Sequence, residues 1–215
     1  LKEPDGNIRL KEVEVFEHDS PLQWCFHEGD DAYFIDDNHT LYEYSLVEHR
    51  KIYVADISRY IASRSEVSAI VRHGNDYFVA FQTDGLICLR NTPDRPQSYQ
   101  AEEIGIQSGI FCLLNDHRQD IVWIGTDGQG VYIYSNDAYS IKTTTFESFT
   151  HRLKKPVRSI LLDKEKSLWI GTKGDGLVCI PDYDYNSEIT ADNIRYYNTT
   201  NCSLHNNSVY CIDEG

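Results

Sequence analysis

Apolar residues along this chain fall in short runs separated by polar or glycine-bearing turns. None of these runs sustains the 3.6-residue period of an amphipathic helix, so the pattern predicts strands. The clearest stretch predicts four of them. Val157 to Leu162 is apolar with Arg158 and Ser159 interposed, and Asp163-Lys164-Glu165-Lys166 is a polar turn. Ser167 to Thr172 is the second strand, and a turn at Gly174 and Gly176 leads into the third, Leu177 to Ile180. After a polar loop, Ile194 to Asn198 supplies a fourth.

The same unit recurs. Trp169-Ile170-Gly171-Thr172 repeats Trp123-Ile124-Gly125-Thr126, and both continue through paired glycines into an apolar strand. Stepping back reaches Phe78, then Tyr33, so the four aromatics are 45, 45 and 46 residues apart. Leu22, Val67, Ile110, Val157 and Val209 open a second register, at separations of 45, 43, 47 and 52. Four strands in each unit of about 45 residues, repeated in tandem, predict an all-β fold, an arc of a β-propeller with four-stranded antiparallel blades. The expected blades are 20–64, 65–107, 108–154 and 155–202. Residues 1–19 are read as tail strands of a preceding blade and 203–215 as the first strand of the next. An arc cut in this way reads as part of a longer protein.

Once per unit, Tyr33, Phe78, Trp123 and Trp169 occupy a strand position suited to packing between neighbouring blades. Gly125 and Gly171 are placed to let the adjacent blade approach. The paired turn glycines do not form a phosphate loop, because no helix follows them and no P-loop Lys-Ser/Thr is present.

Composition narrows the function. With 34 acidic against 20 basic residues the formal net charge is -14, which repels phosphate backbones and argues against a nucleic-acid partner. No run approaches the ~18 apolar residues of a membrane span. The six cysteines form no CxxC pair, and the eight histidines form no HExxH or His-x-His pattern, so no metal or other cofactor is expected. Asp182 and Asp184 read as a solvated loop rather than a calcium site. No Ser/His/Asp grouping or recurring carboxylate pair marks a catalytic centre, and the segment is read as non-enzymatic.

The segments Ile121 to Val131 and Ser167 to Leu177 resemble the two-component regulator propeller repeat. Its pattern runs V-x-x-I-x-x-D, a turn, L-W-I-G-T, a short link, then G-L. Val157, Ile160 and Asp163 match the opening part, as do Ile110, Leu113 and Asp116; Asn207 to Ile212 resembles the start of another unit. The first unit departs from the pattern, with Ile35-Asp36-Asp37-Asn38 where Gly-Thr and the turn belong. The turn glycine before Leu-Trp is also missing, with Asp120 and Lys166 nearby instead.

The resemblance implies the periplasmic sensor of a hybrid two-component system of gut bacteria. Its ligand would be an oligosaccharide, and its partners the remaining blades, downstream signalling domains of the same chain and a second receptor copy in a homodimer. In a propeller, the turns between second and third strands gather at one mouth of the axial channel. Here they carry Thr83, Asp84, Asp127, Gln129, Lys173 and Asp175, with Asn201 to Asn207 on the approach to the next unit. Their donors and acceptors suit sugar hydroxyls, which makes them the candidate ligand-binding residues. A protein-interaction scaffold would instead show an exposed apolar patch, and a propeller glycan hydrolase or lyase would need clustered carboxylates or a metal at the axis.

Overall fold

The structure is a computed structural model that describes residues 19–92, 94–95, 98–135, 140–144, 154–184 and 191–214. Among the described residues, sixteen strands form four sheets, each a plain antiparallel meander in sequence order. The first blade holds β1 (Leu22–Glu28), β2 (Asp31–Asp36), β3 (Thr40–Ser45) and β4 (Arg50–Asp56). The second holds β5 (Val67–His73), β6 (Asp76–Phe81), β7 (Leu86–Asn91) and β8 (Tyr99–Ile104). In the third are β9 (Ile110–Asp116), β10 (Ile121–Thr126), β11 (Val131–Ser135) and β12 (Ser140–Thr144). The fourth is β13 (Val157–Leu162), β14 (Leu168–Thr172), β15 (Leu177–Ile180) and β16 (Arg195–Tyr197). Leu22, Val67, Ile110 and Val157 therefore open the four first strands.

Those first strands neighbour one another in order, β1 with β5, β5 with β9 and β9 with β13, so the sheets radiate from a common inner line. The chain is an arc of a β-propeller. Each first strand also bulges after its opening residue, leaving Gln23, Ser68, Phe111 and Arg158 without a counterpart on the second strand. A bulge there adds local twist and turns one side chain per blade out of the alternation.

Three seams between blades hold the core. Tyr33, Ile35 and Leu41 meet Ile70, Val79 and Phe81 in the first, and Phe78 meets Ile110 and Ile124 in the second. In the third, Trp123 and Ile133 pack on Val157, Ile170 and Val178. Gly125 is required at that seam. A Cβ on it would collide with Cys112 Sγ and Val157 Cγ1. At Gly171, an added Cβ would stand 2.9 Å from Val209 Cγ1, the same relation one blade later.

The turns after the first strands come in two kinds. Blades one and two use two-residue turns that open on Gly29 and Gly74, both with positive φ. Blades three and four use longer turns closed by Asp120 (φ 54°) and Lys166 (φ 66°), where the repeat pattern would have glycine. An aspartate holds each long turn. Asp116 accepts the N–H groups of Arg118 and Gln119, Asp163 accepts that of Ser167, and each carboxylate also takes the indole N–H of its blade's tryptophan. The aspartate and tryptophan of the repeat pattern are thus one hydrogen-bonded unit.

Two features were not read from the sequence. A helical turn, α1 (Ser58–Ile61), joins the first two blades and buries Ile57 and Ile61 in their seam. It is too short to show a period. Val209 to Ile212 does not form a paired strand. Ser208 bridges to Lys173 and Val209 N–H donates to Thr172 O, and no second strand pairs with this segment among the described residues. The expected tail strands of a preceding blade, in residues 1–18, lie outside the described residues.

Candidate ligand-binding site

The turns between second and third strands of the third and fourth blades are fastened to the connection that leads into their own blade, and in the fourth also to the segment that follows it. Asp127 N–H donates to Gly109 O, Lys173 N–H to Pro156 O, and the N–H groups of Gly174 and Gly176 both to Asn207 O. In the third and fourth blades a threonine closes the loop. Thr126 Oγ1 donates to Gly130 O and accepts from Gln129 N–H; Thr172 Oγ1 does the same with Gly176 O and Asp175 N–H. The repeat's Gly-Thr therefore serves two ends, the glycine admitting the next blade and the threonine shaping the turn.

The turn side chains lie at or near the surface. Thr83, Asp84, Asp127, Gln129 and Lys173 are exposed and Asp175 half-buried. Two of the three turns converge on one connection, residues 104–109. Thr83 and Asp84 line a cleft of about 390 Å³ together with Arg64, Glu103, Gln107 and Ser108. From the third blade, Gln129 Nε2 donates to Gln107 O at 3.2 Å, and Ser108 Oγ donates to Asp127 O at 3.3 Å. Lys173 and Asp175 stand at the next seam, against Pro156 and Asn207.

The six positions are not equally available. Asp84 accepts from Ser65 N–H and Thr83 Oγ1, and the contacts with Ser65 hold its carboxyl below the usual carboxylate range. Arg64, which donates to Asp84 O, is ion-paired with Glu103. Gln129 also accepts from Tyr132 Oη. The Asp127 and Lys173 side chains make no hydrogen bond or ion pair among the described residues. Asn201 and Asn207 are committed to the local fold, since their amide oxygens accept from Asn198 N–H and Thr199 N–H.

A second polar cluster, which the sequence reading missed, sits at the opposite end of the first strands. Register places Glu28, His73, Asp116 and Asp163 at one repeat position, two residues beyond the partner of the repeat aromatic. In blades three and four that acid meets an indole and a turn. In blade one the indole is replaced by Tyr33, and both Glu28 carboxylate oxygens are buried with no donor in full hydrogen-bonding geometry. Burial pushes the Glu28 carboxyl up to about 7, only partly offset by the Arg72 backbone N–H and Asn115. His117 stands 4.0 Å away, and His73 is bonded to Asn115. The equivalence could have been found by carrying the step from Val157 to Asp163 and from Ile110 to Asp116 back to Leu22 and Val67, where it reaches Glu28 and His73.

A raised carboxyl favours the protonated form in the fold. The stabilisation is complete below the ordinary value of 4.5 and is lost as pH rises through about 7. Stability should fall by up to about 3 kcal/mol across that window. Denaturation midpoints between these limits should decline in the parent and stay level in Glu28→Gln; parallel declines would assign the effect to other groups.

The described residues hold no group of three or more His, Cys, Asp or Glu suited to a metal ion. No described helix is long and apolar enough to cross a membrane.

Residues 153–174 match the family model described as two component regulator propeller. The chain carries that repeat. No curated protein is similar enough in sequence to match it. Among solved structures, the extracellular domain of BT4673 from B. thetaiotaomicron, assigned to a hybrid two component system, aligns with a TM-score of 0.59 at 22% identity. That alignment covers 93% of this chain and 25% of the other. The corresponding domain of BT3049 from the same organism gives 0.58 at 16%, covering 91% and 24%. PorZ, a surface component of the type-IX secretion system of Porphyromonas gingivalis, gives 0.58 at 16%, covering 96% and 32%. The propeller arc is common to all of them, and this chain spans about a quarter to a third of each.

Proposed function

We propose that this arc belongs to the ligand-sensing propeller of an extracytoplasmic receptor of the hybrid two-component type, and that its ligand is an oligosaccharide. The periplasm would be its compartment. Remaining blades would complete the ring, and signalling domains of the same chain, paired in a homodimer, would carry the output. The observation that carries the reading is the second-to-third-strand face, where a rigidly latched backbone presents exposed Asp127, Gln129 and Lys173 beside half-buried Asp175, the Asp127 and Lys173 side chains making no hydrogen bond or ion pair among the described residues. Directional polar groups on a fixed frame are what a site for sugar hydroxyls needs, because little ordering remains to be done on binding. The repeat and the receptor domains of similar fold support the receptor context.

The test is a titration of the intact protein with candidate oligosaccharides, before and after changing Asp127, Gln129 and Asp175 to Ala singly and together. At roughly 1 kcal/mol for each lost hydrogen bond, the triple variant should bind on the order of 100-fold more weakly with an unchanged melting temperature. A folded triple variant that binds as tightly as the parent would remove this face as the site.

A further inference from the structure

The bulge positions of the first strands carry a second recognition feature, on the inner line of the arc. Arg158 is the bulged residue of β13, and Phe111 is that of β9. Tyr210 follows Val209 as Arg158 follows Val157. The guanidinium carbon of Arg158 lies 3.6 Å from the centroid of the Phe111 ring and 5.9 Å from that of Tyr210. Three consecutive units therefore each contribute one side chain to a stack with a cation in the middle.

What Arg158 lacks is as informative as what it touches. In a chain of net charge -14, Arg50, Arg64, Arg72 and Arg90 each meet a carboxylate. Arg158 meets none among the described residues, and its Nε is sealed from solvent without an acceptor. The two Nη groups are not sealed in this way, and no described residue accepts from them. A guanidinium stacked on a ring has its plane fixed and its hydrogen-bonding edge directed outward, the arrangement that meets a planar oxyanion with two parallel bonds. Beside it, Tyr210 is 59% exposed and offers a flat face to a ring attached to that anion.

We propose that Arg158 is a binding residue for the carboxylate or sulfate of a small ligand, with Tyr210 beneath the ring that bears it. Phe111 holds the guanidinium in place. The site selects acidic over neutral saccharides, an inference that rests on the sensor reading and narrows its ligand class.

The experiment follows the Arg158 side-chain Nε–Hε resonance in the isotope-labelled intact protein during titration with glucuronate, sodium sulfate or glucose. Glucuronate, sulfate or both should move the resonance saturably, the pair separating carboxylate from sulfate recognition, and glucose should not. Arg158→Gln should weaken binding of the active anion by at least about tenfold, and Arg158→Lys should retain part of it, having charge without the fork. An Arg158 resonance that no anion perturbs overturns the proposal, as does glucuronate affinity unchanged in Arg158→Gln. The parent spectrum decides the matter even if the Gln variant fails to fold. Neutral oligosaccharide binding that depends on Asp127, Gln129 and Asp175 but not on Arg158 would leave the sensor reading standing and sink this one. Anion binding at Arg158 with no saccharide response would do the reverse.

Discussion

Trp123→Ala should lower the free energy of unfolding by about 3–5 kcal/mol, the cost of removing a fully enclosed indole from a core that cannot collapse around the void. Trp123 is 0% exposed, packs tilted on Tyr183 at 5.1 Å and reaches from β10 into the apolar face of the fourth blade. Its repeat mate gives an internal control. Trp169 is only half-buried, stacked on Tyr197 at 5.8 Å and held by a 2.7 Å bond from its indole N–H to Asp163. Trp169→Ala should cost about half as much, because part of its surface already faces solvent and less is lost on truncation. Urea denaturation of the two variants beside the parent makes the comparison. Equal losses would mean that the seam between blades three and four does not set the difference.

Arg72→Met should be the second most damaging change, at about 3 kcal/mol near neutral pH. Glu43 on β3 is buried to 3% side-chain exposure and accepts twice from Arg72 Nη1, at 2.9 and 3.2 Å. Tyr77 Oη also donates to it, and burial together with this hydrogen bond raises the Tyr77 phenol well above its ordinary range. Arg72 and Tyr77 both belong to the second blade, so the cluster ties blade one to blade two across their seam. Losing the cation leaves a buried carboxylate with one neutral donor. The figure sits at the low end for a broken buried pair because the Arg72 side chain is 37% exposed and partly screened. Glu43→Gln combined with Arg72→Met should recover much of the loss, since the stranded charge is gone. A double variant as unstable as the single would place the damage in lost packing of the arginine stem.

The period, the four-strand units and the opening residue of each first strand could all be read along the chain, because they are local. A strand declares itself by alternation and a turn by its polar or glycine residues, and a repeat multiplies each weak signal. The candidate face was legible for the same reason: equal positions in equal units end up on one side of the arc. Which aromatic is sealed was not legible. Trp123 and Trp169 sit in near-identical segments, and their difference in burial comes from what lies across the seam. The fate of the repeat acid was hidden likewise, since Asp116 and Asp163 find an indole and a long turn while Glu28 finds neither. The Phe111–Arg158–Tyr210 stack joins residues 47 and 52 positions apart through bulges that no alternation pattern announces. Sequence alone determined the blades and their order, because strand and turn energetics act over a few residues. Tertiary structure decided burial, charge state and side-chain partners, because these depend on the blade next door.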